Sequence, residues 1–303
     1  MQPDFITQDK PRRRILALDG GGVRGVFTIE ILARMEELLR QHTGKKDLVL
    51  ADHFDLIAGT STGAIIATFL SWGESVDTIR QLYAQQARRM FARAPWWQWH
   101  QGKFSEKNLS EILRDFFVEA DGTPARLATE RLRTLLLIVM RNATTGSAWP
   151  ITNNPAALYN QRTWPDRRVN EERNLDLPLW QLVRASTAAP LYFPPEIIPL
   201  GRQRFEFLDG GIPASNNPAV IASPTATQPC YRIGWATGID QLLLVSIGTG
   251  QTRARVSERL RRLLGTFGLA TAVPASLIDS ISREQDLLCR TLGHTLHGGP
   301  LVS

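Results

Sequence analysis

An α/β fold with a mainly parallel sheet, covered by helices on both faces, is predicted by three features of this 303-residue sequence. Short, continuously apolar runs read as strands buried on both faces. Two of these runs end directly in glycine-rich turns. Segments with apolar residues at three-to-four spacing separate the runs, which is the alternation that βαβ units require.

The elements follow in chain order. Arg13-Arg14-Ile15-Leu16-Ala17-Leu18-Asp19 reads as a strand closed by glycines. Val26, Ile29, Leu32, Ala33, Met35, Glu36 and Leu39 repeat at helical spacing, so 25–42 is predicted as an amphipathic helix. His53 to Ala58 is a second strand and Ala64 to Trp72 a strongly apolar helix. Leu135 to Met140, Phe205 to Leu208 and Leu242 to Ile247 are the remaining predicted strands, the last again closed by glycines. Segment 142–178, rich in Asn, Pro and Thr, reads as a long surface excursion, and 214–240 as a polar connection. From Ser257 to Leu292 the pattern is helical, interrupted around Pro274. No fixed-period repeat and no dividing linker is visible, so 12–303 is expected as one domain after an N-terminal extension, 1–11.

The chain is 43% hydrophobic and 21% charged, which excludes disordered, collagen-like and disulfide-knotted classes. No apolar run reaches the roughly 18 residues that a membrane span needs. The first residues do not form a secretory signal, and the two cysteines, Cys230 and Cys289, suit a reducing cytosol, so a cytoplasmic location is expected. Lys+Arg 35 against Asp+Glu 29 gives a net charge of +6, mostly from arginine. That balance favours anionic surfaces, phospholipid headgroups or nucleic acid, without choosing between them. A basic protein with no anionic partner fits it equally.

Gly59-Thr60-Ser61-Thr62-Gly63 follows a predicted strand and opens a predicted helix, the setting of a Gly-x-Ser-x-Gly nucleophile elbow. Gly59 and Gly63 would let strand and helix approach, leaving the Ser61 hydroxyl exposed over a helix N-terminus that favours developing negative charge. A helix-capping serine is the simpler alternative.

Asp19-Gly20-Gly21-Gly22-Val23-Arg24-Gly25 also joins a strand to a helix, and Gly20, Gly22 and Gly25 satisfy Gly-x-Gly-x-x-Gly. A dinucleotide site wants an acidic residue about 20 positions on, at the end of the next strand. Asp47 precedes that strand, and the strand ends in Gly59-Thr60-Ser61, so the dinucleotide reading lacks its context. Unobstructed backbone amides in this loop would instead suit the oxyanion that forms when a serine attacks an ester. A nucleotide-binding regulatory module using the loop for phosphate is the rival from another class.

A serine nucleophile needs a base. Ser61, Asp209 and His294 or His297 would follow the α/β-hydrolase order of nucleophile, acid and histidine, but both histidines fall in a glycine-rich tail that reads as exposed. Asp209 ends a short strand before Gly210-Gly211; partly buried, it could take the serine proton directly, or it could merely cap its own turn.

Taken in order, Asp19–Gly25, the Gly59–Gly63 elbow, Arg184-Ala185-Ser186-Thr187-Ala188-Ala189-Pro190-Leu191-Tyr192-Phe193 and Asp209-Gly210-Gly211 resemble the patatin-like phospholipase family, and Gly234 to Gly250 is similar to its bacterial members. The likeness covers about residues 12–250. It implies a three-layer α/β/α fold and a Ser–Asp dyad without histidine. Ser61 would be the nucleophile and Asp209 the general base, with Gly20, Gly21, Gly22, Val23, Arg24 and Gly25 forming the oxyanion hole. The implied chemistry is hydrolysis of phospholipid acyl esters at a membrane surface, without metal or cofactor. Some bacterial relatives act in anti-phage defence under a cyclic-nucleotide activator, and this chain looks closest to that branch. No DNA or RNA partner is expected, and an oligomer is compatible with the resemblance.

Two further segments have a lipid reading. Trp96, Trp97 and Trp99 beside Arg88, Arg89 and Arg93 suit a headgroup boundary, or packing on the domain. Arg253, Arg255, Arg259, Arg261 and Arg262 suit a basic surface helix, a phosphate site or a solvated face. Arg24 could meet a substrate phosphate or anchor its own loop. Cys230 and Cys289 have no neighbours at metal-ligand spacing.

Overall fold

The structure, a computed structural model, describes residues 10–90, 92, 104, 106–190, 192–211, 215–250 and 280–296. The elements are β1 (Arg13–Leu18), α1 (Gly25–Thr43), the single turn α2 (Leu50–His53), β2 (Leu56–Thr60), α3 (Thr62–Ser71), α4 (Val76–Met90), α5 (Glu106–Phe116), β3 (Leu135–Asn142), β4 (Ser147–Thr152), α6 (Leu179–Ser186), β5 (Glu196–Leu200), β6 (Gln203–Asp209), α7 (Ala219–Thr227) and β7 (Leu242–Ile247). Residues 280–292 form a last helical segment. The tryptophan segment Trp96–Trp99, the arginines from Arg253 to Arg262, Arg93, His297 and the region around Pro274 lie outside the described residues.

Seven strands form one sheet in the order β5-β6-β3-β2-β1-β7, with β4 also on β3. The pairs β7–β1, β1–β2 and β2–β3 are parallel, as the apolar strands alternating with helices lead one to expect. Beyond β3 the pairings β3–β4, β3–β6 and β5–β6 are antiparallel, so the sheet is mixed. The strand residues divide by parity, as the pleat requires. Leu16, Leu18, Ile57, Leu136, Ile138 and Met140 pack with α1, α3, α5 and α6 on one face. Ile15, Leu56, Ala58, Leu135, Leu137 and Val139 pack with Ala222, Ala226 and Trp235 on the other. Both faces are covered, giving three layers.

Several elements differ from the sequence expectation. The predicted strand from His53 begins later, because Asp52 accepts the Val49 amide at 3.1 Å and Phe54 closes a helical turn on Leu50 at 3.0 Å. The presumed excursion 142–178 contains β4, whose Pro150 is tolerated because the strand pairs with β3 alone. Trp149 anchors it against Phe205 and Phe207, with ring centroids 5.3 and 5.0 Å away. The polar connection 214–240 contains α7, where alanines offer a small buried face despite Pro224. On α1, Val26 belongs to the apolar repeat yet is exposed, whereas Ile29 and Leu32 are buried.

Candidate active site

The site assembles where two strands meet end to end on one edge of β3. Along β3, Leu135 to Val139 pair with β2 and Met140 to Asn142 pair with β6. Strand β4 pairs with Leu137 to Asn142 and so occupies the opposite edge, leaving β2 and β6 to share the first. Thr60, the last residue of β2, pairs with Val139, and Asp209, the last residue of β6, pairs with Met140. The chain leaves β2 at Ser61 and β6 at Gly210, so two distant parts of the sequence arrive at adjacent positions.

Ser61 makes the turn with φ 54° and ψ −125°, a conformation that a non-glycine residue holds only when its surroundings impose it. The constraint is visible. A Cβ on Gly63 would lie 2.1 Å from the Leu18 carbonyl oxygen, and one on Gly59 would lie 2.2 Å from that of Gly63, so α3 rests directly on the ends of β1 and β2. The Ser61 amide donates to Ser186 Oγ at 2.9 Å, and that hydroxyl donates to the Val139 carbonyl at 2.6 Å. The Ser61 carbonyl accepts from Ala64 and Ile65 at 2.8 and 3.2 Å and starts α3, whose N-terminus lies beneath the half-buried serine.

Asp209 is 4% exposed. Its amide donates to the Ala188 carbonyl at 3.0 Å and its Oδ1 accepts the Gly211 amide at 2.8 Å. Burial pushes the carboxyl up to about 6, against the opposing pull of a hydrogen bond from the Ser61 side chain, the Gly211 amide and the charge of Arg184. Arg184 is fully buried on α6 and donates to the Pro194 carbonyl at 2.9 Å. The end of α6 and the turn after it therefore touch both partners, Ser61 through Ser186 and Asp209 through Ala188.

The glycine loop leaves β1 beside this pair. Gly20 donates to the Asn216 carbonyl at 3.1 Å, and a Cβ there would lie 3.1 Å from Ser61 Cβ. Gly22 has φ +57°, and its carbonyl accepts Thr62 Oγ1 at 2.8 Å, which ties the loop to the elbow. Among the described residues no group accepts the amides of Gly21, Gly22 or Val23; the latter two open a short helical turn, Gly22–Arg24, whose first amides have no internal acceptor. Arg24 donates to the Gly250 carbonyl at 3.3 Å, so its guanidinium braces the loop. Asp19, at the end of β1, is pushed up to about 8 by burial and by the nearby Asp286.

The chain matches the family model described as "Patatin-like phospholipase" over residues 16–223. It belongs to the patatin-like phospholipase family. Among relatives, it is 32% identical over 221 residues to "cGAMP-activated phospholipase" of Escherichia coli (strain TW11681), a match covering 72% of this chain and 57% of that protein. It is 29% identical over 255 residues to "Intracellular phospholipase A2" of Caenorhabditis elegans, covering 83% of this chain and 21% of the relative. "Patatin group J-1" of Solanum tuberosum is 24% identical over 253 residues, covering 78% and 60%. The chain thus spans between a fifth and three fifths of the length of these relatives.

In this patatin-like chain, the expected residues Ser61, Asp209, Gly20 to Gly25, Gly59 and Gly63 converge on one point. His294 does not join them: it is exposed beyond the last helical segment and bonds to neither Ser61 nor Asp209. Sequence reasoning missed the parts played by Ser186, Arg184 and Asn216. The first two lie in the Arg184–Phe193 stretch, which carried family likeness but no local chemical signature. Asn216 sits beside the turn after β6: Cβ atoms on Gly20 and Gly211 would come within 2.6 and 3.0 Å of its Oδ1, and its Nδ2 donates to Ser282 at 2.9 Å. Among the described residues no group of three or more His, Cys, Asp or Glu is placed to hold a metal ion.

Proposed function

We propose that this chain is a serine acyl hydrolase of phospholipase A type, cleaving fatty-acyl esters of membrane phospholipids through Ser61 and Asp209. The observation that carries the reading is the end-to-end meeting of β2 and β6, which pairs Thr60 with Val139 and Asp209 with Met140 and so brings the turn at Ser61 next to the buried Asp209 carboxylate.

In the proposed reaction Ser61 Oγ attacks the ester carbonyl carbon while Asp209 takes its proton. The carbonyl oxygen becomes an oxyanion facing the amides of Gly21, Gly22 and Val23, which donate to no other group among the described residues. Each such donor contributes about 3 kcal/mol to lowering the barrier. The intermediate collapses with cleavage of the acyl C–O bond, and the lysolipid alkoxide leaves with the proton from Asp209. Asp209 then deprotonates a water molecule that attacks the acyl-serine, and fatty acid departs as Ser61 recovers its proton. A carboxyl raised to about 6 is still ionised at neutral pH, yet is a stronger base than an ordinary aspartate.

The name of the Escherichia coli relative supports a cyclic-nucleotide activator. A defence effector that degrades its host membrane is the further step of the proposal and rests on the resemblance to the bacterial branch. The proposed setting is cytoplasmic with peripheral membrane attachment. No helix among the described residues is long and apolar enough to cross a membrane.

The test is phospholipid turnover, with and without cyclic dinucleotide, followed by mass spectrometry of products. Ser61→Ala and Asp209→Ala are each expected to abolish release of fatty acid, and His294→Ala to leave it unchanged. Loss in the histidine variant would favour a Ser–Asp–His triad. Saturable nucleotide binding without ester turnover would favour a regulatory module.

A further inference from the structure

Helix α1 carries apolar side chains on two opposite faces. Ile29 and Leu32 point into the core, whereas Val23, Phe27, Ile31 and Leu38, at spacings of four, four and seven, follow one outward line. Val23 is 54% exposed, Phe27 62% and Ile31 50%. Farther along, Ile31, Met35, Leu38 and Leu39 form an almost wholly apolar open patch on the helix, which Glu30, Arg34 and His42 also line. A continuous exposed apolar stripe of this kind is unusual on a folded surface and marks a binding face.

The position of the stripe selects its occupant. It starts at Val23, inside the turn Gly22–Arg24 that follows the loop abutting Ser61, and runs away from that loop. An ester held in a bilayer reaches that serine only if the rim of the site meets the interface. The charges agree with a phospholipid surface. Glu30 and Glu37, the carboxylates along the same side of the helix, are paired with Arg80 at 2.9 Å and Arg34 at 2.7 Å. At the far end Lys45 and Lys46 are exposed beside a single acid, Asp47. Apolar side chains with cations at the margin match the acyl–headgroup boundary.

We propose that the outward face of α1, through Phe27, Ile31 and Leu38, docks this protein on a phospholipid bilayer. The inference rests on the hydrolase reading above, and its test separates the two. Partition is measured on the full chain carrying Ser61→Ala, with phosphatidylcholine/phosphatidylglycerol vesicles, so that binding is read without turnover. Adding Phe27→Ser, Ile31→Ser and Leu38→Ser is expected to lower the partition coefficient about tenfold or more. The milder Phe27→Ala/Ile31→Ala pair is expected to give an intermediate loss, and serves if the triple variant fails to fold. With Ser61 intact, the same variants are expected to cleave a monomeric short-chain ester within about twofold of the parent rate.

Partition unchanged by the substitutions, or a parent that does not bind vesicles, overturns the proposal. So does a lipid-free change in oligomeric state in the variants, which would assign the stripe to a second copy of the chain. Loss of partition together with a parent inert on the short-chain ester, with and without cyclic dinucleotide, would uphold the docking face and remove the hydrolase reading instead.

Discussion

Ser186 holds the backbone of Ser61: its hydroxyl accepts the Ser61 amide at 2.9 Å and donates to the Val139 carbonyl at 2.6 Å. One buried hydroxyl thus locks the strained elbow to β3, the strand on which β6 places Asp209.

Removing that hydroxyl is expected to loosen the elbow more than the fold. Ser186→Ala should lower kcat on a monomeric ester by about 10- to 100-fold with KM within twofold, because a displacement on the order of 1 Å at the nucleophile is costly. Ser186→Thr, which restores the hydroxyl, should recover much of the rate. Steady-state kinetics of the pair checks this. Equal losses in both variants would assign Ser186 to packing alone.

The pH profile should report Asp209. With its carboxyl raised to about 6 by burial, the base form is lost as pH falls, so kcat/KM should decline below about 6 with a slope of one. The measurement is kcat/KM from pH 4.5 to 8.5 on an uncharged ester. An acid limb at the ordinary carboxylate pKa near 3.9 would contradict it.

The same burial makes the site costly to the fold. Asp209 holds its proton more tightly in the folded chain than in the unfolded one, so its contribution to stability is greatest below about 4 and falls away as pH rises through about 6. Asp209→Asn removes the charge and should raise the thermal midpoint at pH 7.5 by a few degrees, from a gain on the order of 2 kcal/mol. At pH 4 the difference should nearly vanish. Calorimetry at the two pH values decides it.

Gly63→Ala is expected to be among the most damaging small substitutions. The added methyl would sit 2.1 Å from the Leu18 carbonyl oxygen, backbone against backbone, so α3 must move off β1. A loss of about 3 kcal/mol or more, read from denaturant unfolding, is expected. Gly44, which has φ +72° and open space around its missing side chain, provides the contrast: alanine there costs only the left-handed strain, about 1 kcal/mol.

How much was legible depended on how local the determinant is. β1, β2 and β3 announce themselves because strands buried on both faces must be apolar throughout. β7, half-buried at the end of the sheet order, does so because its run Leu242 to Val245 is apolar all the same, and the glycines after β1 and β7 fix the turns. The elbow and the glycine loop were legible for the same reason, since their geometry restricts residue type over a few adjacent positions. β4 was not, because Pro150 and the turn before Ser147 resemble a loop until pairing with β3 is known. Ser186 and Arg184 carry no signature of their own; their parts exist only after α6 docks against β3 and β6. The outward stripe of α1 is hidden in the sequence because periodicity counts apolar residues without saying which face the core occupies: Val26 belongs to the same repeat as Ile29 and Leu32 yet is exposed.

The end-to-end meeting of β2 and β6 also bears on when the protein can first act. A ribosome delivers Ser61 early, but the carboxylate beside it only after β6 has emerged and found its place on β3. In the proposed reaction the hydroxyl has no proton acceptor at hand until that pairing is made. The antiparallel pairing of β6 on β3 is thus the last strand contact that the proposed dyad requires.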